Sequence, residues 1–121
     1  MRTGPTNEQL KSLISELKKK AYSDSGSIMF WRRIADDLEK PSRNRRVVNL
    51  SRISRYTKNG ETVIVPGKVL SAGSLDKSIT IAAWQFSRQA VEKINKANAK
   101  ALTITELMQS NPEGKNVRII G

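Results

Sequence analysis

KPSRNRRVVNLSRISRYTK, residues 40–58, divides the chain in two. It carries seven cations (Lys40, Arg43, Arg45, Arg46, Arg52, Arg55 and Lys58) and no carboxylate. Five of the seven are Arg, whose flat guanidinium forks onto phosphate oxygens and stacks on bases. Soluble surfaces normally mix both signs. A stretch of one sign repels itself unless a dense anion lies against it, and nucleic-acid backbone is the commonest such anion. Before this stretch, apolar residues recur at helical spacing; after it, β-branched runs alternate with short helical ones. The contrast sets the expected fold as α+β. An N-terminal helical segment over residues 1–41 precedes an irregular ββα-type domain with short strands over 42–121, the two forming one compact unit.

Upstream, Thr6 and Gln9 have the spacing of a capping box. Leu10, Leu13, Ile14, Leu17 and Ala21 then make one stripe of an amphipathic helix. Lys18, Lys19 and Lys20 fall in its last turn, where the helix dipole favours cations whether or not RNA is near. Residues 23–27 read as a loop. A second helix presents Trp31, Ile34, Ala35 and Leu38 on one face and stops at Pro41. Arg32 and Asp36, like Arg33 and Asp37, stand four apart and can pair. Asp36, Asp37 and Glu39 do not read as a nuclease metal cluster, because neighbouring helix positions point different ways and Arg partners neutralise two of them.

Downstream, Val47 and Val48 are β-prone, and Asn49 or Ser51 can cap a helical turn running to Thr57. In that turn Leu50 and Ile53 face the core while Arg52 and Arg55 share the other side. Asn59-Gly60 signals a turn, and residues 61–70 are β-rich, with Pro66-Gly67 arguing for a strand edge or a bend. Gly67-Lys68 fails as a phosphate-binding loop: Gly60 lies two residues too far upstream, and Val69 stands where Ser or Thr must ligate magnesium. Gly67 and Gly73 are read instead as sites of positive φ or close backbone approach. ITIAAWQF, residues 79–86, is apolar on both faces and reads as a buried strand. Alternation puts Trp84 and Phe86 on one side and Ile79, Ile81 and Ala83 on the other. Ser87 caps a helix with the stripe Ala90, Val91 and Ile94, and residues 100–102 make a short strand. Thr103 and Glu106 form a second capping box, Asn111 to Gly114 turns the chain, and residues 117–120 close it as a strand.

The totals agree with the opening stretch. Net charge is +11 over 121 residues, and the pI is about 10.4. Residues 1–60 hold 14 cations against 6 anions, so the excess is concentrated there. A basic, clustered chain of this kind is the footprint of a nucleic-acid binder. There is no Cys and no His. Disulfides, thiolate zinc sites, imidazole bases and the Ser-His-Asp and Cys-His triads are therefore excluded. No run approaches a membrane span and no signal core is present, so the expected location is the cytoplasm.

Several of these motifs resemble one family. Val48-Asn49-Leu50 precedes a basic turn; Val65-Pro66-Gly67-Lys68-Val69-Leu70 follows, then Gly73. Ala82-Ala83 ahead of Phe86-Ser87, and Asn111-Pro112-Glu113-Gly114 with Val117-Arg118, also match. So do Trp31, Ala35, Leu38, Pro41 and Arg43 upstream. The pattern is similar to the archaeal and eukaryotic large-subunit ribosomal protein family numbered eighteen-e, a relative of bacterial large-subunit protein fifteen. Ser71-Ala72 departs from it, since many members have a Gly-containing pair there. The resemblance implies a structural constituent of the large ribosomal subunit, partnered by ribosomal RNA and neighbouring ribosomal proteins. It implies no catalysis, cofactor, metal, small-molecule substrate or membrane. The charge pattern supplies the candidate RNA contacts: Arg43, Arg45, Arg46, Arg52, Arg55, Lys58 and Lys68, with Lys18, Lys19, Lys20, Arg32 and Arg33 as further members. The alternative reading is a DNA-binding or chromatin-architectural protein, which charge alone does not separate from the first.

Overall fold

The β-branched runs after residue 46 form one sheet in which the described pairings are all parallel. The computed structural model describes residues 6–23, 28–39, 46–111, 114 and 116–120, with backbone alone at 6, 7, 21–23, 28 and 46. Two helices lead, α1 (Thr6–Ser23) and α2 (Ile28–Glu39). Then come β1 (Arg46–Asn49), α3 (Leu50–Tyr56), β2 (Thr62–Leu70), β3 (Thr80–Phe86) and α4 (Arg88–Lys96). The chain ends with β4 (Lys100–Thr103), α5 (Ile104–Ser110) and β5 (Val117–Ile119). The α+β class, with helices first, is what the sequence leads one to expect. Most of its strands are joined through helices, the usual crossover in parallel sheets: α3 links β1 to β2, α4 links β3 to β4, and α5 links β4 to β5. Only β2 and β3 are joined without one, by residues 71–79.

The sheet runs β1-β2-β3-β4, with β5 also paired to β2. One flank of β2 is shared: β5 covers Thr62 to Ile64, and β1 covers Gly67 to Leu70. Pro66 lies between these partners, and on the other flank the pairing with β3 slips between Val65 and Lys68. The missing proline N–H therefore removes no ladder bond, and the bend expected at Pro66 is present. Its strand is nevertheless interior, with neighbours on both sides, because the bulge places Pro66 where nothing pairs.

Helices cover both sheet faces, which is why the strands are apolar on both. On one face Leu10, Leu13 and Leu17 of α1 and Trp31, Ile34, Ala35 and Leu38 of α2 pack with Ile64, Ala82, Ile104 and Leu107. On the other, Leu50, Ile53, Ala90 and Ile94 pack against Val63, Val65, Val69, Ile81 and Ala83. Trp84 packs at the edge of the first cluster and Phe86 at the edge of the second. The expected shared side for those two aromatics is thus corrected: strand alternation breaks opposite the β2 bulge. Ser87 caps α4 by accepting from Ala90 N, and Thr103 and Glu106 make both bonds of the capping box. Of the loop expected over residues 23–27, Ser23 is instead the last residue of α1, and 24–27 lie outside the described residues, as do the Pro41 stop, the Pro112-Glu113 part of the last turn and the side chain of the proposed Thr6 cap. Gly114, at φ +66, lies where a Cβ would approach Phe30 Cδ2 to 2.7 Å.

Candidate nucleic-acid interface

Seven residues are too few for a helix to persist in water on its own, so α3 depends on what holds it. Leu50 and Ile53 anchor its inner side and are fully buried. At its start, Asn49 does not cap the helix with its side chain. Its Oδ1 instead accepts from Ala72 N at 3.2 Å, while Ser51 N donates to Ala72 O at 3.1 Å. Gly73, at φ +85, lets the loop lie against the helix; a Cβ there would stand 2.3 Å from Ser51 Cβ. Gly67 is not among the positive-φ residues and belongs to the bulge.

The far end of α3 is held by residues 76–78. The Lys77 ammonium donates to the carbonyls of Ser54 and, at 2.6 Å, Thr57. Ser54 Oγ donates to Asp76 Oδ1 at 3.3 Å. Ser78 N donates to Asn59 Oδ1 and Gly60 N to Ser78 O, each at 2.9 Å. Cations at a helix C-terminus also offset its dipole. Beyond the helix, Lys58 N donates to Glu61 Oε1 at 2.6 Å, and Arg118 Nη2 reaches Glu61 Oε2 at 3.1 Å. The Lys58 amide first, and Arg118 next, hold the Glu61 carboxyl below its usual value of 4.5.

Held in this way, α3 and the turn after it present Arg52, Arg55, Tyr56 and Lys58 to solvent. The Arg52 guanidinium lies over the Tyr56 ring, 5.5 Å from its centroid. The other candidates sit elsewhere. Lys68 is exposed on β2, paired with Val47 and next to buried Val69, so alternation turns it to the sheet face opposite α3. Arg32 and Arg33 are exposed on α2, lining an open groove of about 740 Å³ that also holds Asp36 and Asp37. Neither i,i+4 Arg–Asp pair on α2 forms among the described residues, whose ion pairs include Lys18–Glu39 at 2.6 Å and Arg118–Glu61. Lys18 thus ties α1 to α2, Lys19 is exposed and Lys20 is half-buried. Arg43 and Arg45 lie outside the described residues, and Arg46 is placed by its backbone, paired with Gly67. Among the described residues no cluster of three potential metal ligands occurs, and no helix is long and apolar enough to cross a membrane.

Two features of this surface escaped the sequence reading. Lys77 is a lone cation between Asp76 and Ser78, with no periodicity to mark it as a structural clamp. Tyr56 did leave a signal, since it stands four residues after Arg52 on a helix.

The model of the family described as ribosomal protein 60S L18 and 50S L18e matches residues 6–121. The chain belongs to that family. Large ribosomal subunit protein eL18 of Methanoregula boonei is 49% identical over 115 residues, 95% of this chain and 93% of the relative. Its counterpart in Halobacterium salinarum is 50% identical over 115 residues, 95% and 97% of the two chains. That of Pyrobaculum aerophilum is 45% identical over 118 residues, 98% and 95%. The eighteen-e family expected from the motifs is the one found, and these relatives are archaeal.

Proposed function

We propose that this chain is a structural constituent of the large ribosomal subunit in the cytoplasm, holding ribosomal RNA through its backbone phosphates and performing no catalysis. Family membership over nearly the whole chain supports the ribosomal role. The observation that carries the RNA contact is the outer side of α3, a helix with no carboxylate of its own, where Arg52 and Arg55 stand with Lys58 on a braced support. Arg43, Arg45 and Arg46 precede this surface in the chain and are further candidates for phosphate contact. Lys68, across the sheet, meets a separate segment of RNA, as do Lys19, Arg32 and Arg33 on the helical pair. Lys18 and Lys20 contribute charge at the margin, Lys18 being shared with Glu39. Such contacts read shape and backbone, not base sequence. Neighbouring ribosomal proteins complete the surroundings. Residues 1–41 and 42–121 act as one unit, because α1 and α2 share a core with β2, β3 and α5.

The test is sedimentation of tagged protein from lysate through sucrose at about 0.5 M salt, where the screening length is only about 4 Å and loose polycation binding is lost. Co-migration with the large subunit is expected. Protein left at the top of the gradient would overturn the reading and return the DNA-binding alternative.

A further inference from the structure

Phosphate binding needs cations, yet the outer side of α3 also displays an aromatic ring. Tyr56 is 50% exposed, one of the few large apolar side chains left in solvent among the described residues. Arg52 stands over its ring within cation–π range. We propose that Tyr56, framed by Arg52, is a stacking platform for an unpaired nucleobase, while Arg55 and Lys58 hold the phosphates on either side of that base. This rests on the RNA-binding reading above and adds to it a contact that selects unpaired nucleotides.

Three observations carry it. The platform is pre-organised: Tyr56 ends α3 between Ser54 and Thr57, the two residues whose carbonyls Lys77 clamps, and Asn59 and Gly60 are fixed to Ser78. Stacking on it therefore costs little ordering. The surroundings are cationic, and the two carboxylates bonded to this segment are already engaged, Asp76 by Ser54 and Glu61 by the Lys58 amide and Arg118. An aromatic partner arriving here is best delivered on a polyanion, which a nucleic-acid strand is. Finally, a duplex buries its base faces in its own stack, so an exposed ring flanked by cations fits a base from a loop, bulge or strand end.

The experiment measures binding of the full chain to large-subunit ribosomal RNA extracted from Methanoregula boonei and stripped of protein, across a salt series. Tyr56→Leu keeps apolar bulk but loses the π face; it should bind about tenfold more weakly with an unchanged log–log salt slope. Tyr56→Phe should stay within about twofold of the parent. Arg55→Gln with Lys58→Gln should instead flatten the slope by about 1.5. Equal melting temperatures for all variants show that folding is not the cause. Tyr56→Leu binding like the parent, while the charge variant still flattens the slope, would overturn the stacking platform and leave RNA binding standing. If the charge variant also leaves the slope unchanged, both fall.

Discussion

The two faces of the sheet are held by different physics. The α1/α2 face is a packing problem: large side chains, Trp31 and Leu38 among them, are fully buried and meet β2, β3 and α5. Phe30 and Trp31 meet edge to face, 4.7 Å between centroids. The α3 face has a thinner cover, a short helix, α4 and residues 71–79. Polar clamps from Asn49, Lys77 and Ser78 supplement its apolar contacts. A helix dense in Arg cannot bury much of itself, so it is fixed by bonds at its ends. Both faces bury an apolar core, and the difference lies in how the cover is fixed: by large side chains on one, by smaller apolar contacts and polar clamps on the other.

The largest effect expected is on the packed face. Trp31→Ala should cost about 3–5 kcal/mol in urea denaturation. If residues 1–41 and 42–121 are one unit, amide exchange should rise on both faces together; a rise confined to α1 and α2 would break the chain into two units. Next comes the clamp. Lys77→Met keeps the aliphatic stem but strands two carbonyls, costing about 1–3 kcal/mol. Exchange should quicken over residues 54–60 and not in α1 or α2, and RNA affinity should fall though Lys77 faces inward. Uniform loss would mean the clamp is not local to α3. The smallest effect concerns Glu61. Its carboxyl is held below 4.5, so its contribution is complete above that value and disappears as pH falls through the lowered one. Glu61→Gln should therefore lessen the fall of melting temperature as the pH drops below 4.5. An unchanged acid slope would show that the Lys58 and Arg118 contacts do not matter to folding.

Local signals in the sequence were enough for most elements. The Thr103–Glu106 box, the Ser87 cap, the α2 stripe and the α1 stripe from Leu10 to Leu17 depend on neighbours within one helical turn, and the structure has them; the Ala21 side chain lies outside the described ones. Parallel pairing was not legible, because it depends on partners far apart in sequence. The helix-free crossover of residues 71–79 gave no cue that strands on either side of it run the same way. Nor could charge counting show that Lys68 and Arg52 lie on opposite sheet faces: that follows from Val69 and Val48 both joining the α3 core. The cationic stretch pointed to an interface, but spacing alone could not show which cations share a surface and which, like Lys77, turn inward.

The most direct test compares the salt dependence of RNA binding for two triple variants. One carries Gln at Arg52, Arg55 and Lys58; the other carries Gln at Lys19, Arg32 and Arg33. With no carboxylate on its own stretch, the α3 surface should account for most of the released ions. Its variant should flatten the log–log slope by about two to three, and the helical-pair variant, whose cations stand on helices that also carry carboxylates, by less. Equal losses, or a larger loss from the helical pair, would contradict the assignment of the RNA face to α3.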